Sequence, residues 1–499
     1  MDIEARARRL LQELDGRIGP SPYDTAWMAR LPGDSAGNAR WPDLTEWLIE
    51  HQWLDGSWGG AIRYYHDRIL CTLAAIIALR EHGASQEAEE AIKRGEQFIW
   101  KSLQFLHHDP VELVGFELIL PTLMAEARSL GLGVPNHSGG YARIRAEKLR
   151  LLPMELLYSR GMPAAFSLEF LGHQRDVNHI HRLQGPNGSI ADSPAATSYF
   201  LTQTGDNQRA LAYLGRMKAR PHGIPAFYPF RTFETVWVLE HLAFGALPLG
   251  RLVPPSTWEE LKSIIGPEGV GIDPTFGIND GDTTAVTLHV LALGGQSVDP
   301  MILRHFEEPE ALTFRTFVFE RNASVATNAH ALEALALMSD YPNRQEVWDR
   351  VVATLLATQK YRSYWIDKWH ASPYYATSHT LMALIGVRER MLIECLHSID
   401  WLLHTQREDG SWGYFDRGTA EETAYALLAL LHYHRQVQEV DVEILRKGIS
   451  FLHSAVDQTS YTHPDLWIAK SLYMPENIVT AAILAALNLC QDTFGYISA

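Results

Sequence analysis

The 499-residue chain sets 43 Lys and Arg against 59 Asp and Glu, a formal net charge of −16, which argues against a nucleic acid or an anionic membrane surface as partner. Its length suits two domains, each with a substantial interior. The three cysteines, Cys71, Cys395 and Cys490, stand far apart with no Cys-x-x-Cys, which argues against a disulfide or zinc framework and for a reducing compartment.

Residues 1–14 alternate acids and arginines without the apolar core of a signal peptide, and no later segment reads as apolar for long enough to span a bilayer. A cytoplasmic protein with no membrane span is expected. The phrase Gln52-Trp53-Leu54-Asp55-Gly56-Ser57-Trp58-Gly59 comes next, and it returns as Gln184-Gly185-Pro186-Asn187-Gly188-Ser189-Ile190 and as Gln406-Arg407-Glu408-Asp409-Gly410-Ser411-Trp412-Gly413. Asp-Gly or Asn-Gly makes a tight turn, Gln can bond backbone groups at a helix end, and Trp fills space. The role of this unevenly spaced repeat is structural.

Apolar residues recur at spacings of three and four over 68–79, 286–293, 325–338, 378–385 and 420–431, and alternating β-branched runs are scarce, so these segments read as helices. They are rich in Ala and Leu and nearly free of charge, which suits inner-layer helices buried on more than one face. The fold class expected is all-α, with hairpins of helices arranged in barrels. The two full turn phrases, one early and one late, point to two related helical domains with a seam near residue 235.

One stretch carries chemistry: Gly271-Ile272-Asp273-Pro274-Thr275-Phe276-Gly277-Ile278-Asn279-Asp280-Gly281-Asp282-Thr283-Thr284-Ala285-Val286. Taken alone it reads as a helix N-cap, with Asp and Thr satisfying free amides. A helix N-terminus also stabilises an ionised carboxylate by roughly 0.3 to 1 kcal/mol, so a neutral acid placed there gives up its proton more readily. Protonation of a carbon-carbon double bond, a very weak base, needs that property. Two acids close together also do not both ionise easily, so the pair keeps one proton near neutral pH.

Here the chain resembles the class II terpene cyclases, whose Asp-x-Asp-Asp motif carries its acid on the middle Asp. The fourth position is Thr283 instead, which resembles the Asp-x-Asp-Thr-Thr variant of bacterial diterpene cyclases such as halimadienyl diphosphate synthases. Further phrases similar to that family run along nearly the whole chain: Ser21-Pro22-Tyr23-Asp24-Thr25-Ala26-Trp27, Gly115-Phe116-Glu117, Ser193-Pro194-Ala195-Ala196-Thr197, Phe233-Glu234-Thr235-Val236-Trp237, Asp367-Lys368-Trp369-His370 with Tyr374-Tyr375, and Leu466-Trp467-Ile468-Ala469-Lys470-Ser471-Leu472-Tyr473. The resemblance implies two α-helical barrel domains, termed β and γ. The β domain would comprise residues 1–30 and 235–499 and the inserted γ domain residues 31–234, with the active site between them. It makes Asp282 the proton donor and Asp280 its helper. On the helix 325–338 it offers His330, ahead of Asn328, as the group that hydrogen-bonds the acid; a satisfied core histidine is the plainer reading.

The implied substrate is geranylgeranyl diphosphate, cyclised with its diphosphate retained. The diphosphate calls for cations and for Mg²⁺ bridging its oxygens. Arg182 falls where plant copalyl diphosphate synthases place a diphosphate-binding lysine; Lys368 and Lys470 lie in aromatic-rich family phrases, and a surface role stands beside the ligand role for each. Thr283, Trp365, Trp369, Tyr374 and Phe200 are the candidates for the substrate wall, since ring faces stabilise a carbocation and water destroys it. Plant ent-copalyl diphosphate synthases end the reaction with a His and Asn pair holding a water, and the matching positions here are Phe200 and Ala226. The departure implies a longer-lived cation and a rearranged halimadienyl or clerodienyl (kolavenyl) product. No Asp-Asp pair occurs in the chain, so a class I Asp-Asp-x-x-Asp site and a fused α domain are not expected; a separate class I terpene synthase or a phosphatase would act on the product.

Other readings share parts of this pattern. A farnesyl diphosphate cyclase making drimenyl diphosphate uses the same acid chemistry, as does a squalene-type triterpene cyclase. A protein prenyltransferase subunit has helical hairpins but needs a zinc-bound thiol site. A helical-repeat binding scaffold explains hairpins and acidity, but not paired carboxylates at a helix mouth.

Overall fold

The repeated turns build the hairpins. The structure, a computed structural model, describes residues 2–33, 37–151, 157–159, 161–172, 177–308, 310, 313–318, 320, 322–385, 393–457 and 461–495. Gly56, Gly188 and Gly410 take φ of +89°, +95° and +86°, and a Cβ at any of them would strike the backbone of Arg94, Arg209 or Lys447 on the following outer helix. Only glycine serves both demands. Gln52 Nε2 donates to the carbonyls of Gly56 and Ala91, and Gln406 Nε2 to those of Gly410 and Ile444, tying each turn to the next helix. Trp58 and Trp412 are fully buried, and each indole donates to the carbonyl ten residues before it, Leu48 and Leu402.

Among the described residues, ten helices and one 3₁₀ segment make up the inner layers, and one further helix, α1 (Ile3–Gln12), packs outside them. The ten are α2 (Pro22–Ala29), α3 (Tyr65–His82), α4 (Phe116–Ser129), α5 (Pro194–Thr204), α6 (Arg231–Phe244), α7 (Gly281–Leu293), α8 (Val325–Leu337), α9 (Pro373–Ile385), α10 (Ala420–Gln436) and α11 (Glu476–Phe494). Helices α2, α3, α4, the 3₁₀ segment Pro163–Leu171 and α5 pack in sequence, and α5 returns to α2 to close a first ring. Helices α6 to α11 pack in sequence, and α11 returns to α6 to close a second. Amphipathic helices such as Gln86–Ser102, Gln208–Lys218, Arg344–Thr358 and Val442–Asp457 lie outside, on α3, α5, α8 and α10. This is the all-α, two-barrel architecture expected.

The division of the chain between the rings differs in detail from that expected. Helix α1 packs on α11 of the second ring, but α2 belongs to the first, because its almost wholly buried surface is covered by α3 and α5. Residue 235 lies inside α6, so the second ring begins at Arg231. Helix α11, with 19 residues, is long and apolar enough to cross a membrane by length and composition, contrary to the sequence reading. Its apolar faces are covered by α6 and α10, as befits a barrel-core helix.

Two short hairpins shape the cleft between the rings. Strands β1 (Glu307–Glu308) and β2 (Thr313–Phe314) pair antiparallel beside α8; β3 (Trp467–Ile468) and β4 (Leu472–Tyr473) pair antiparallel at the ring junction. The β3–β4 turn reaches into the first ring, where Val114 N–H donates to the Ala469 carbonyl and Leu472 N–H to Asp67 Oδ1.

Candidate active site

At the mouth of α7, Asp280 is the N-cap, and its Oδ1 accepts the Thr283 N–H at 2.7 Å. The N-cap reading of this stretch therefore holds alongside any chemistry. Gly281 N–H donates to the Thr316 carbonyl at 2.7 Å, and a Cβ on Gly281 would overlap the Arg315 carbonyl. The residue between the two acids must therefore be glycine for the helix mouth to seat against the Arg315–Thr316 backbone. Asp282, in the first turn, points away from the cap, and its Oδ1 lies 2.7 Å from His330 Nδ1 on α8.

These groups face a cavity between the rings. Val114, Pro163 and Phe166 contribute to its wall from the first ring; Phe227, Phe233, Trp237, Ile272, Phe276, Phe317, Trp369, Tyr375, Trp467 and Tyr473 follow. Asp280, Asp282, Thr283 and Thr316 also belong to the wall, the first three at the α7 mouth and Thr316 bonded to Gly281. A small oxygen-bearing patch in an aromatic chamber suits an apolar chain that meets an acid.

Burial pushes the Asp280 carboxyl up to about 8, with the Thr283 N–H opposing and the Asp282 charge adding to it. Asp282 is also raised by burial, against the pull of His330. Burial alone would lower His330, but Asp282 and Glu240 outweigh it and hold the imidazole up at about 10. The arrangement is an acid pair with a cationic histidine behind the second member, so Asp282 can release a proton and keep a stabilised carboxylate.

Behind His330 lies a buried polar cluster. His330 Nε2 is 3.1 Å from His379 Nδ1 and 3.8 Å from Glu240 Oε2, and Glu240 Oε1 is 3.0 Å from His289 Nδ1. Glu240, His330, Glu333 and His379 each bring one ligand-type atom within 4.8 Å of the others. The two imidazole nitrogens hydrogen-bond each other at 3.1 Å, and His330 Nδ1 is engaged with Asp282. Magnesium, which wants an octahedron of oxygens, fits neither this cluster nor the cavity wall. Among the described lining residues the carboxylates are Asp280 and Asp282, one committed to the cap and the other to His330.

The remaining candidates separate by environment. Asn328 clamps β2, its amide exchanging hydrogen bonds with both Phe314 backbone groups, and it does not touch Asp282. Thr283 and Trp369 line the cavity. Trp365 does not: it belongs to a fourth turn copy, Gln359 to Trp365, in which its indole donates to the Leu355 carbonyl and its N–H to Thr377 Oγ1, as Trp412 does to Leu402 and Thr423. Tyr374 also lies off the wall, stacked on Trp401, because one residue along a helix rotates the side chain by about 100° and puts Tyr375 on the inner face instead. Phe200 is buried in the first ring, edge-on to His181, and does not reach the cavity.

The basic candidates differ in the same way. Lys470 is fully buried, donating to the Phe166 carbonyl, Glu169 Oε1 and Ser193 Oγ. Its three donors are used to join the rings, which leaves none for a diphosphate. Lys368 pairs with Glu320 and donates to the Asn322 carbonyl over the Trp369 ring. Arg182 is solvent-exposed.

The sequence alone assigned no site role to Glu240, His379 or most of the aromatic wall. A signal was present: Phe233, Trp237 and Glu240 recur at helical spacing on α6, and Tyr375 and His379 stand four apart on α9, so each set shares one face.

The chain is similar to known proteins along nearly its whole length. Residues 318–467 match the squalene-hopene cyclase C-terminal domain family. A type B diterpene cyclase from Mycobacterium tuberculosis is 35% identical, the alignment covering 96% of this chain and 97% of that protein. A (+)-kolavenyl diphosphate synthase from Herpetosiphon aurantiacus is 29% identical over 97% of this chain and 96% of its own. The solved ent-copalyl diphosphate synthase from Streptomyces platensis superposes with a TM-score of 0.80 at 28% identity, covering 98% of this chain and 99% of its own.

Proposed function

The chain belongs to the class II diterpene cyclases, and from that premise we propose that it converts geranylgeranyl diphosphate into a rearranged bicyclic diterpenyl diphosphate of halimadienyl or kolavenyl type. One observation carries the reading: the acid stands on a cavity whose described wall contains no His, Asn or Gln. Asp282 delivers its proton to the terminal double bond of the folded chain, and His330 stabilises the carboxylate that remains. Ring closure moves the positive charge along the aromatic faces of Trp237, Phe233 and Tyr375, which attract a cation. With no neutral base in the wall to end the reaction at the first bicyclic cation, hydride and methyl shifts precede proton loss. One proton enters and one leaves, so the product is an isomer that still carries its diphosphate.

The diphosphate lies at the end remote from Asp282. Of the three basic candidates, the reading gives this contact to Arg182, the one with an exposed side chain. Magnesium, for which the wall offers no ligand set, would enter on the diphosphate's own oxygens and neutralise part of its charge. The reading places the enzyme in the cytoplasm, where free cysteines stay reduced, with a class I terpene synthase or a phosphatase consuming its product. Incubation with geranylgeranyl diphosphate, then dephosphorylation and mass spectrometry, should give a halimadane or clerodane alcohol. An unrearranged labdane would overturn the product assignment, and preferred turnover of farnesyl diphosphate or squalene would overturn the substrate.

A further inference from the structure

We infer that His379 is a positioning residue that keeps His330 doubly protonated, by offering its Nδ1 lone pair to the His330 Nε2–H. The inference rests on the reading of Asp282 as the acid. His330 Nδ1 faces Asp282 Oδ1 at 2.7 Å, so that nitrogen is a donor whenever the carboxylate is ionised. The charge of His330 is therefore decided at Nε2, whose hydrogen-bond partner is His379 Nδ1 at 3.1 Å.

Two proton arrangements satisfy this contact. In one, His379 donates from Nδ1 to a neutral His330; in the other, it accepts from an imidazolium. Glu240 selects the second. Its Oε2 is wholly buried, has no hydrogen bond, and lies 3.8 Å from His330 Nε2, so a neutral His330 would leave a carboxylate buried with no cation on that side. His379 is itself fully buried among Phe244, Tyr375 and Tyr425, and its Nε2 has no partner. Burial, together with the neighbouring His330, holds it well below the ordinary histidine range, so it stays neutral and able to accept.

The other groups around His330 are consistent with a single resident cation. Helix α7 presents Asp282 and His289, the latter bound to Glu240 Oε1. Helix α6 adds Glu240 and His241, and burial lowers His241 to about 4. On His330's own helix, Glu333 is raised well above the carboxylate range by burial and by Glu240, which keeps it neutral. Helix α9 adds Tyr375 and His379. His330 is thus the cation of the cluster, set between Asp282 and Glu240, and His379 fixes its ring and its second proton.

The test compares His379→Leu, which removes the acceptor, with His379→Asn, whose Oδ1 can stand where Nδ1 stood. The primary readout is the ¹⁵N shift pair of His330 in histidine-labelled full-length protein, assigned by its loss in His330→Gln. Wild type should show an imidazolium pattern at pH 8. His379→Leu should move the His330 midpoint down by roughly one pH unit or more and carry the alkaline limb of the kcat–pH profile down with it, KM little changed; His379→Asn should restore most of both. A neutral His330 pattern in wild type at pH 8, or a leucine variant whose midpoint does not move, overturns the inference. The wild-type spectrum decides even if the leucine variant fails to fold. It needs no turnover, so it is independent of whether Asp282 proves to be the acid.

Discussion

Asp282 Oδ1 and His330 Nδ1 meet at 2.7 Å across the α7–α8 contact, with both side chains almost wholly buried. The acid and the group that sets its strength therefore come from neighbouring inner helices of one ring. Asp282→Asn keeps an oxygen for the His330 N–H but has no acidic proton, so folding should persist. Cyclisation should fall by about 10³-fold or more, at the upper part of the range for a positioned acid. Circular dichroism melts and product yield measure the two halves, and turnover within tenfold of wild type would remove Asp282 from its role.

Asp280 gives a pH-dependent prediction. Its folded-state pKa of about 8 lies above its unfolded value near 4, so the folded protein binds its proton more tightly. The stability this group contributes is fully present below about pH 4 and declines as pH rises to about 8, by about 1.4 kcal/mol per unit at most. Asp280→Asn retains an oxygen for the Thr283 cap and needs no proton. Its stability advantage over wild type should therefore grow between pH 4 and 8 and level off above, as read from denaturant melts. A stability difference that stays constant across this range would contradict the raised pKa.

What the sequence disclosed follows the range of each interaction. The turns and the Asp-Gly-Asp mouth were legible because their physics lies within a few residues, and the inner helices because charge is absent from them. Trp365 was misplaced since its turn lacks glycine; Tyr361 and Arg362 carry the positive φ there, at 51° and 57°, and only the shared indole-to-carbonyl bond reveals the repeat. Glu240 and His379 escaped because they lie 90 residues before and 49 residues after His330 in the chain, and nothing local marks a buried charge that meets its partner through ring closure.

Lys470 was a diphosphate candidate by its aromatic setting, and the structure makes it a buried tie between the rings. Lys470→Met leaves Glu169 without its cation, and removing one partner of a buried pair costs about 3–5 kcal/mol. The variant should lose thermal stability first. If it instead kept its melting temperature while KM for the diphosphate substrate rose tenfold, Lys470 would be a ligand after all.

Tyr374 and Tyr375 supply a paired control for the cavity itself. Tyr375 Oη accepts the Trp237 indole N–H at 3.0 Å, and both rings line the cavity. Tyr375→Phe strips the acceptor from a buried N–H, at a cost of about 1–3 kcal/mol, and frees the Trp237 ring to shift where the cation passes. Tyr374→Phe alters a ring stacked on Trp401, outside the wall. The Tyr375 variant should therefore change the ratio of cyclised products, measured by gas chromatography after dephosphorylation, while the Tyr374 variant gives the wild-type profile. The two substitutions are chemically the same and adjacent in sequence, so a difference between them can come only from which side of α9 faces the substrate. Equal product profiles would mean that the chain folds elsewhere than along the Trp237 and Tyr375 faces.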